Sequence, residues 1–158
     1  RRPEIRMTEQ AKTSSLDRIV AALQEAIRQQ EGAMFSAAVL KEAHQPRNMG
    51  IMLDPDGYAL ECGSCGDTME FFLRIQDSRI DVAVFMTDGC GPTVACGSML
   101  TQMVQGKSLE EAAAIEAANL IIALDGLPPE HVHCATLAVN TLQEALAACR
   151  SKGEGGSE

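Results

Sequence analysis

Gly63-Ser64-Cys65-Gly66-Asp67 sets a thiol and a carboxylate two positions apart, with a glycine on either side of the cysteine. Two later stretches answer it, Gly89-Cys90-Gly91 and His133-Cys134. Together they offer three thiols, an imidazole and a carboxylate, the donor types that hold a soft metal ion or an iron–sulfur cluster. The fold to look for is one that gathers these three stretches.

Strands lie on both sides of the first stretch. Ile51-Met52-Leu53 and Tyr58-Ala59-Leu60 flank Asp54-Pro55-Asp56-Gly57, whose composition is that of a turn. Met69, Phe71, Leu73 and Ile75 alternate along the next strand, and after a polar turn at residues 76–79 the alternation resumes at Ile80, Val82, Val84 and Met86. Such short connections predict an antiparallel meander with one covered face. Cys65 and Asp67 then fall in a loop between strands, and Cys90 ends the last strand.

Helices surround this sheet. Upstream, Leu16, Ile19, Val20, Leu23, Ala26 and Ile27 recur at helical spacing behind a Ser14/Asp17 capping box. Gly32 interrupts that helix, a second runs from Met34 to His44, and Pro46–Gly50 reads as a loop. Downstream, Pro92 opens a helix to about Gln105 with Gly106 as its stop. Ser108 and Glu111 cap an Ala-rich helix, in one or two pieces, to about Leu124. Asp125–Pro129 breaks the chain, and a last helix spans Glu130 to Cys149 with Ala135, Ala138, Leu142, Ala145 and Leu146 inward. His133 and Cys134 occupy its first turns. Residues 1–13 and the Gly/Ser/Glu tail 151–158 carry no pattern and are expected to be disordered. Met7 is a candidate start. The organisation expected is an N-terminal extension (1–33), one α+β domain (34–150) and a tail.

Composition narrows the function. The chain has 158 residues, enough for one well-buried core, and with 3% aromatics that core must be aliphatic. A net charge of −9 argues against nucleic acid, which asks for a basic face. No apolar run approaches the roughly 20 residues of a membrane span, and the polar N-terminus lacks a signal peptide's apolar segment. The expected setting is cytoplasmic, where six cysteines stay reduced and suit metal or thiol chemistry better than disulfides.

Two of the three candidate cysteines, Cys90 and Cys134, lie near helix N-termini, where the dipole and free amides favour thiolate. The glycines at 63, 66, 89 and 91 keep side-chain bulk away from the sulfurs. The remaining thiols fit plainer roles. Cys62-Gly63-Ser64-Cys65 is a CxxC, but it lacks the βαβ setting of a thioredoxin-like dithiol. As half a zinc knuckle it would need a second pair, which only His131/His133/Cys134 offers. Cys96 and Cys149 fall inside or at the end of helices as packing residues. Gly106-Lys107-Ser108 has Thr101 where a phosphate loop needs glycine, so it is a helix stop followed by a cap.

From Met34 to Lys152 the chain resembles the IscU/NifU N-terminal type of iron–sulfur cluster scaffold. The residues that carry the likeness are His44–Gly50, Cys65-Gly66-Asp67, Gly89-Cys90-Gly91, Gly106–Ala112, and Leu127-Pro128-Pro129 leading to His133-Cys134. The resemblance implies a three-stranded antiparallel sheet with helices packed on it. It implies a scaffold and sulfur acceptor rather than a turnover enzyme, on which a [2Fe–2S] cluster is built from iron and desulfurase-derived persulfide and passed to apo-proteins. It places the cluster ligands on Cys65, Cys90 and Cys134, with Asp67 and His133 as neighbouring ligand or exchange positions, and makes Cys134 the persulfide acceptor. Four ligands suffice and five are on offer, so the resemblance leaves the choice between Asp67 and His133 open. It also implies that isolated protein can carry zinc and leaves room for a homodimer sharing the cluster.

The 44-residue spacing of Cys90 and Cys134, with His133 present, matches IscU rather than SufU, which has an insertion there and no such histidine. A zinc-binding, SufU-like persulfide acceptor is the alternative. Two departures stand out. Leu127-Pro128-Pro129-Glu130-His131 replaces the Leu-Pro-Pro-Val-Lys through which an Hsp70-type chaperone engages family members, and Phe35 replaces an N-terminal tyrosine.

Overall fold

The computed structural model describes residues 14–155, so the expectations for residues 1–13, and for Met7 as a start, lie outside the described residues, as do the last three of the tail. Two compact units divide the chain, residues 1–33 and 34–158. What is described of the first is the helix α1 (Ser15–Met34). Its Ser14–Asp17 cap is present, with Asp17 Oδ2 accepting from Ser14 N and Oγ. The helix runs through Gly32 rather than stopping there, because a single glycine costs a helix only about 1 kcal/mol.

The second unit is built on three antiparallel strands in the order β1-β2-β3: β1 (Gly57–Cys62), β2 (Thr68–Gln76) and β3 (Arg79–Thr87). Met69, Phe71 and Leu73 of β2 are buried, as the alternation predicts. On β3 the prediction fails. Ile80, Ala83 and Phe85 are buried, whereas Val82 is exposed and Val84 and Met86 are half-buried. A register shift between Arg74 and Ile75 pairs Ile75 with Ile80 but Arg74 with Val82. Asp81 is the extra residue, and a one-residue slip turns every later side chain to the opposite face.

Ile51–Leu53 is not a strand. Asn48 and Gly50 already exchange hydrogen bonds with Phe85 on β3, so the next residues must carry the chain across to β1 at the other edge of the sheet. They run across the strands, not along them, and Leu53 is left exposed.

Helices cover the face formed by Ala59, Phe71, Leu73, Ala83 and Phe85. These are α2 (Ala37–His44), α3 (Gly91–Val104), α4 (Leu109–Ala113), α5 (Ala117–Ala123) and α6 (Val132–Glu154), the last preceded by a 3-10 turn at Pro129–His131. α6 lies on β1 and β2, and α3 lies on β3. Leu100, Val104, Leu120, Leu124, Leu142 and Leu146 complete the core with almost no exposure. Each such side chain contributes about 1.5–3 kcal/mol by leaving water. The Ser108/Glu111 capping box forms, and the Ala-rich segment is two helices. α6 continues to Glu154, so residues 151–154, expected as tail, are helical.

Candidate metal centre

The stretch at residues 63–67 closes the β1–β2 hairpin. Gly63 accepts from the Gly66 amide at 3.0 Å and donates to the Asp67 carbonyl at 2.7 Å, leaving Ser64-Cys65-Gly66 as a three-residue loop. Gly66 has φ +88°, the left-handed conformation such a loop requires. Cys65 therefore stands exposed at the tip, and Asp67 turns back toward the helices.

Cys90 is the N-cap residue of α3, with an exposed thiol. Cys134 sits in the first turn of α6 and is fully buried. Both are near helix N-termini, yet burial pushes the Cys134 thiol up to about 11. A hydrogen bond from Thr93 pulls the other way, while the charges of Cys90 and Cys65 add to the rise. At this thiol burial acts against the thiolate that a helix N-terminus favours.

The joint between these pieces is Thr93, which the sequence did not single out. Its Oγ1 lies 3.1 Å from Asp67 Oδ2, 3.3 Å from Cys134 Sγ and 3.5 Å from Cys90 Sγ. One buried hydroxyl thus touches a carboxylate and two thiols. Gly89 makes the approach feasible: a Cβ there would stand 2.7 Å from Thr93 Cβ and 2.8 Å from Asp67 Oδ2. His133 Nε2 lies 3.6 Å from Cys134 Sγ.

The tightest ligand group is Cys90, His131 and Cys134, whose donor atoms all fall within 4.8 Å of one another. Two sulfurs and an imidazole nitrogen suit zinc, iron or an iron–sulfur cluster by softness and charge. Among the described residues no other three His, Cys, Asp or Glu side chains converge so closely.

The NifU-like N terminal domain model matches residues 34–154. The chain belongs to that family. It is 38% identical over 114 residues to iron-sulfur cluster assembly scaffold protein IscU 1 of Archaeoglobus fulgidus, covering 72% of this chain and 74% of the relative. It is 35% identical over 125 residues to the IscU scaffold of Escherichia coli K12, covering 76% and 97%. The N-terminal NifU-like protein of Brucella abortus has the same fold, with a TM-score of 0.60 at 19% identity over 74% of this chain and 94% of that one.

Within this NifU-like domain the six cysteines separate by setting. Cys62, Cys65 and Cys90 are exposed; Cys96, Cys134 and Cys149 are buried. Cys96 packs behind the site, its thiol driven far up by burial and then by the charges of Cys134 and Cys90. Cys62 and His133 line one cleft of about 300 Å³. In the sequence His131 enters only through the His131/His133/Cys134 group that a zinc knuckle would need, and not among the expected cluster ligands. No helix among the described residues is long and apolar enough to cross a membrane.

Proposed function

We propose that this chain is a scaffold on which a [2Fe–2S] cluster is assembled from iron and persulfide sulfur and then transferred to apo-proteins. The observation that carries the reading is the convergence of Cys90, Cys134 and a histidine nitrogen at two helix N-termini beside Asp67, in a chain of the NifU-like family. Cys65, on its hairpin tip, supplies the third thiol, and Asp67 or His133 the fourth ligand. The cluster is cargo, so the site must both hold it and release it.

Sulfur delivery by a cysteine desulfurase is a thiolate exchange. Thiolate attacks the terminal sulfur of the desulfurase persulfide, a new S–S bond forms, and the desulfurase thiolate leaves. Each delivered sulfur then takes two electrons from an external protein or thiol reductant to become sulfide. Cys134 is the acceptor in this scheme, but as a buried thiol held near 11 it is protonated at neutral pH. The first turn of α6 has to open, or iron has to bind first, before it reacts; a bound metal drives thiol deprotonation. Asp67 supplies hard oxygen, a poorer cluster partner than thiolate, which keeps the cluster labile.

Zinc would occupy the same donors and gives the competing reading, a zinc-bound persulfide acceptor. A chaperone of the Hsp70 type and a shared cluster in a homodimer belong to the scaffold reading as further partners, the former weakened by the Glu130-His131 departure. Anaerobic reconstitution with iron, a desulfurase and cysteine tests the proposal. Equal iron and acid-labile sulfide, with visible charge-transfer bands lost in Cys65→Ala, Cys90→Ala or Cys134→Ala, is the expected result. A colourless protein holding about one zinc per chain, unmoved by iron and sulfide, overturns it.

A further inference from the structure

We propose that His131 is itself a metal ligand in this chain, closing with Cys90 and Cys134 a three-point site for a single borderline cation such as zinc or ferrous iron. Three independent features carry this. The Nδ1 atom of His131 is buried and has no hydrogen-bond partner among the described residues. A buried imidazole nitrogen left so is costly, and its free lone pair or N–H needs an explanation. That residue is also the one whose donor atom groups with two thiols inside 4.8 Å.

The third feature is orientation. His131 ends the 3-10 turn, its amide donating to the Pro128 carbonyl at 2.9 Å. Its ring lies 5.3 Å from that of Phe35, tilted by 57°, and 6.3 Å from that of His133 in stacked orientation. Two rings thus brace the imidazole before any ion arrives, which lowers the ordering cost of ligation. Around a tetrahedral zinc ion, metal–sulfur and metal–nitrogen bonds of usual length put donors ~3.5–3.8 Å apart. The observed spread closes to that by about one ångström, a side-chain adjustment rather than a change of fold.

The proposal deepens the scaffold reading in that the same thiols serve both, but it does not require a cluster to form. On ligation Cys90 and Cys134 release their protons to solvent and neutral His131 donates its Nδ1 pair, with no electron transferred. His133, whose Nε2 lies 3.6 Å from Cys134 Sγ, stays available for the fourth position or for the cluster.

Cobalt(II) titration of the reduced, metal-stripped full chain is the test. Wild type should bind cobalt with thiolate charge-transfer and tetrahedral d–d bands. His131→Gln should weaken that binding by about tenfold or more and shift the d–d bands, while charge transfer per bound ion is kept. Binding and spectrum unchanged in His131→Gln would overturn the proposal. Should that variant fail to fold by circular dichroism, the unmodified chain decides: with cadmium bound, a scalar coupling between cadmium and His131 Nδ1 is expected, and its absence is contrary. Reconstitution run in parallel separates the two readings. A cluster-forming wild type with a cobalt-indifferent His131→Gln sinks this proposal alone. A His131-dependent cobalt site in a chain that forms no cluster sinks the scaffold reading alone.

Discussion

A single hydroxyl holds the centre together. Thr93 is wholly buried and touches Asp67, Cys90 and Cys134, so replacing it with valine keeps the volume and removes every one of those contacts. Thr93→Val is expected to lower unfolding free energy by about 1–3 kcal/mol in urea titration, and Thr93→Ser to restore most of it. Asp67→Ala should retain a reconstituted cluster longer than wild type when visible absorbance is followed during transfer to an apo-ferredoxin; equal loss rates would remove the labilising role. Cys149 gives a pH test away from the centre. Burial, then the Asp56 charge, pushes its thiol up from the ordinary cysteine range to about 11. A folded value above the unfolded one means the contribution is complete below about pH 9 and is lost as pH rises toward 11. Cys149→Ala should flatten part of the stability loss in that interval.

At the scale of elements, turns and close approaches set the positions of the candidate ligands. The β2–β3 turn puts Asp77 at φ 52° and Ser78 at φ 61°, both left-handed without being glycine. Each such residue costs roughly 1–2 kcal/mol, and Asp-Gly is the pair this turn prefers. Ser78→Gly should therefore raise the thermal midpoint, with a gain of about 1 kcal/mol. Gly97 of α3 presents the opposite case, because a Cβ there would run into the Phe85 ring. Gly97→Ala is expected to destabilise by about 1–3 kcal/mol and to displace Cys90, which begins the same helix, so cobalt affinity should fall along with stability.

For the whole molecule, the site joins pieces distant in sequence: the β1–β2 hairpin, the start of α3 and the start of α6. An ion that binds only this assembled state stabilises the fold by mass action. Zinc at roughly a hundred times its dissociation constant should add about 2.7 kcal/mol, reversed by a chelator. The family domain begins at residue 34, and α1 buries none of its residues. Deleting residues 1–33 is accordingly expected to leave cobalt affinity unchanged.

What the sequence determined by itself was whatever short-range chemistry controls. The alternation of Met69, Phe71 and Leu73, the Ser108/Glu111 box, Pro92 at a helix start and Gly106 past its end are each decided by a few neighbouring residues, and they stand in the structure as read. Tertiary structure alone decided which face β3 turns inward, since the extra Asp81 shows only in pairing with β2. It also decided that Cys134 is buried, that Thr93 bridges a carboxylate and two thiols, and that His131, whose buried Nδ1 has no hydrogen-bond partner among the described residues, brings a ring nitrogen near two thiols. Desolvation and donor convergence are sums over neighbours remote in the chain, and no local pattern contains them.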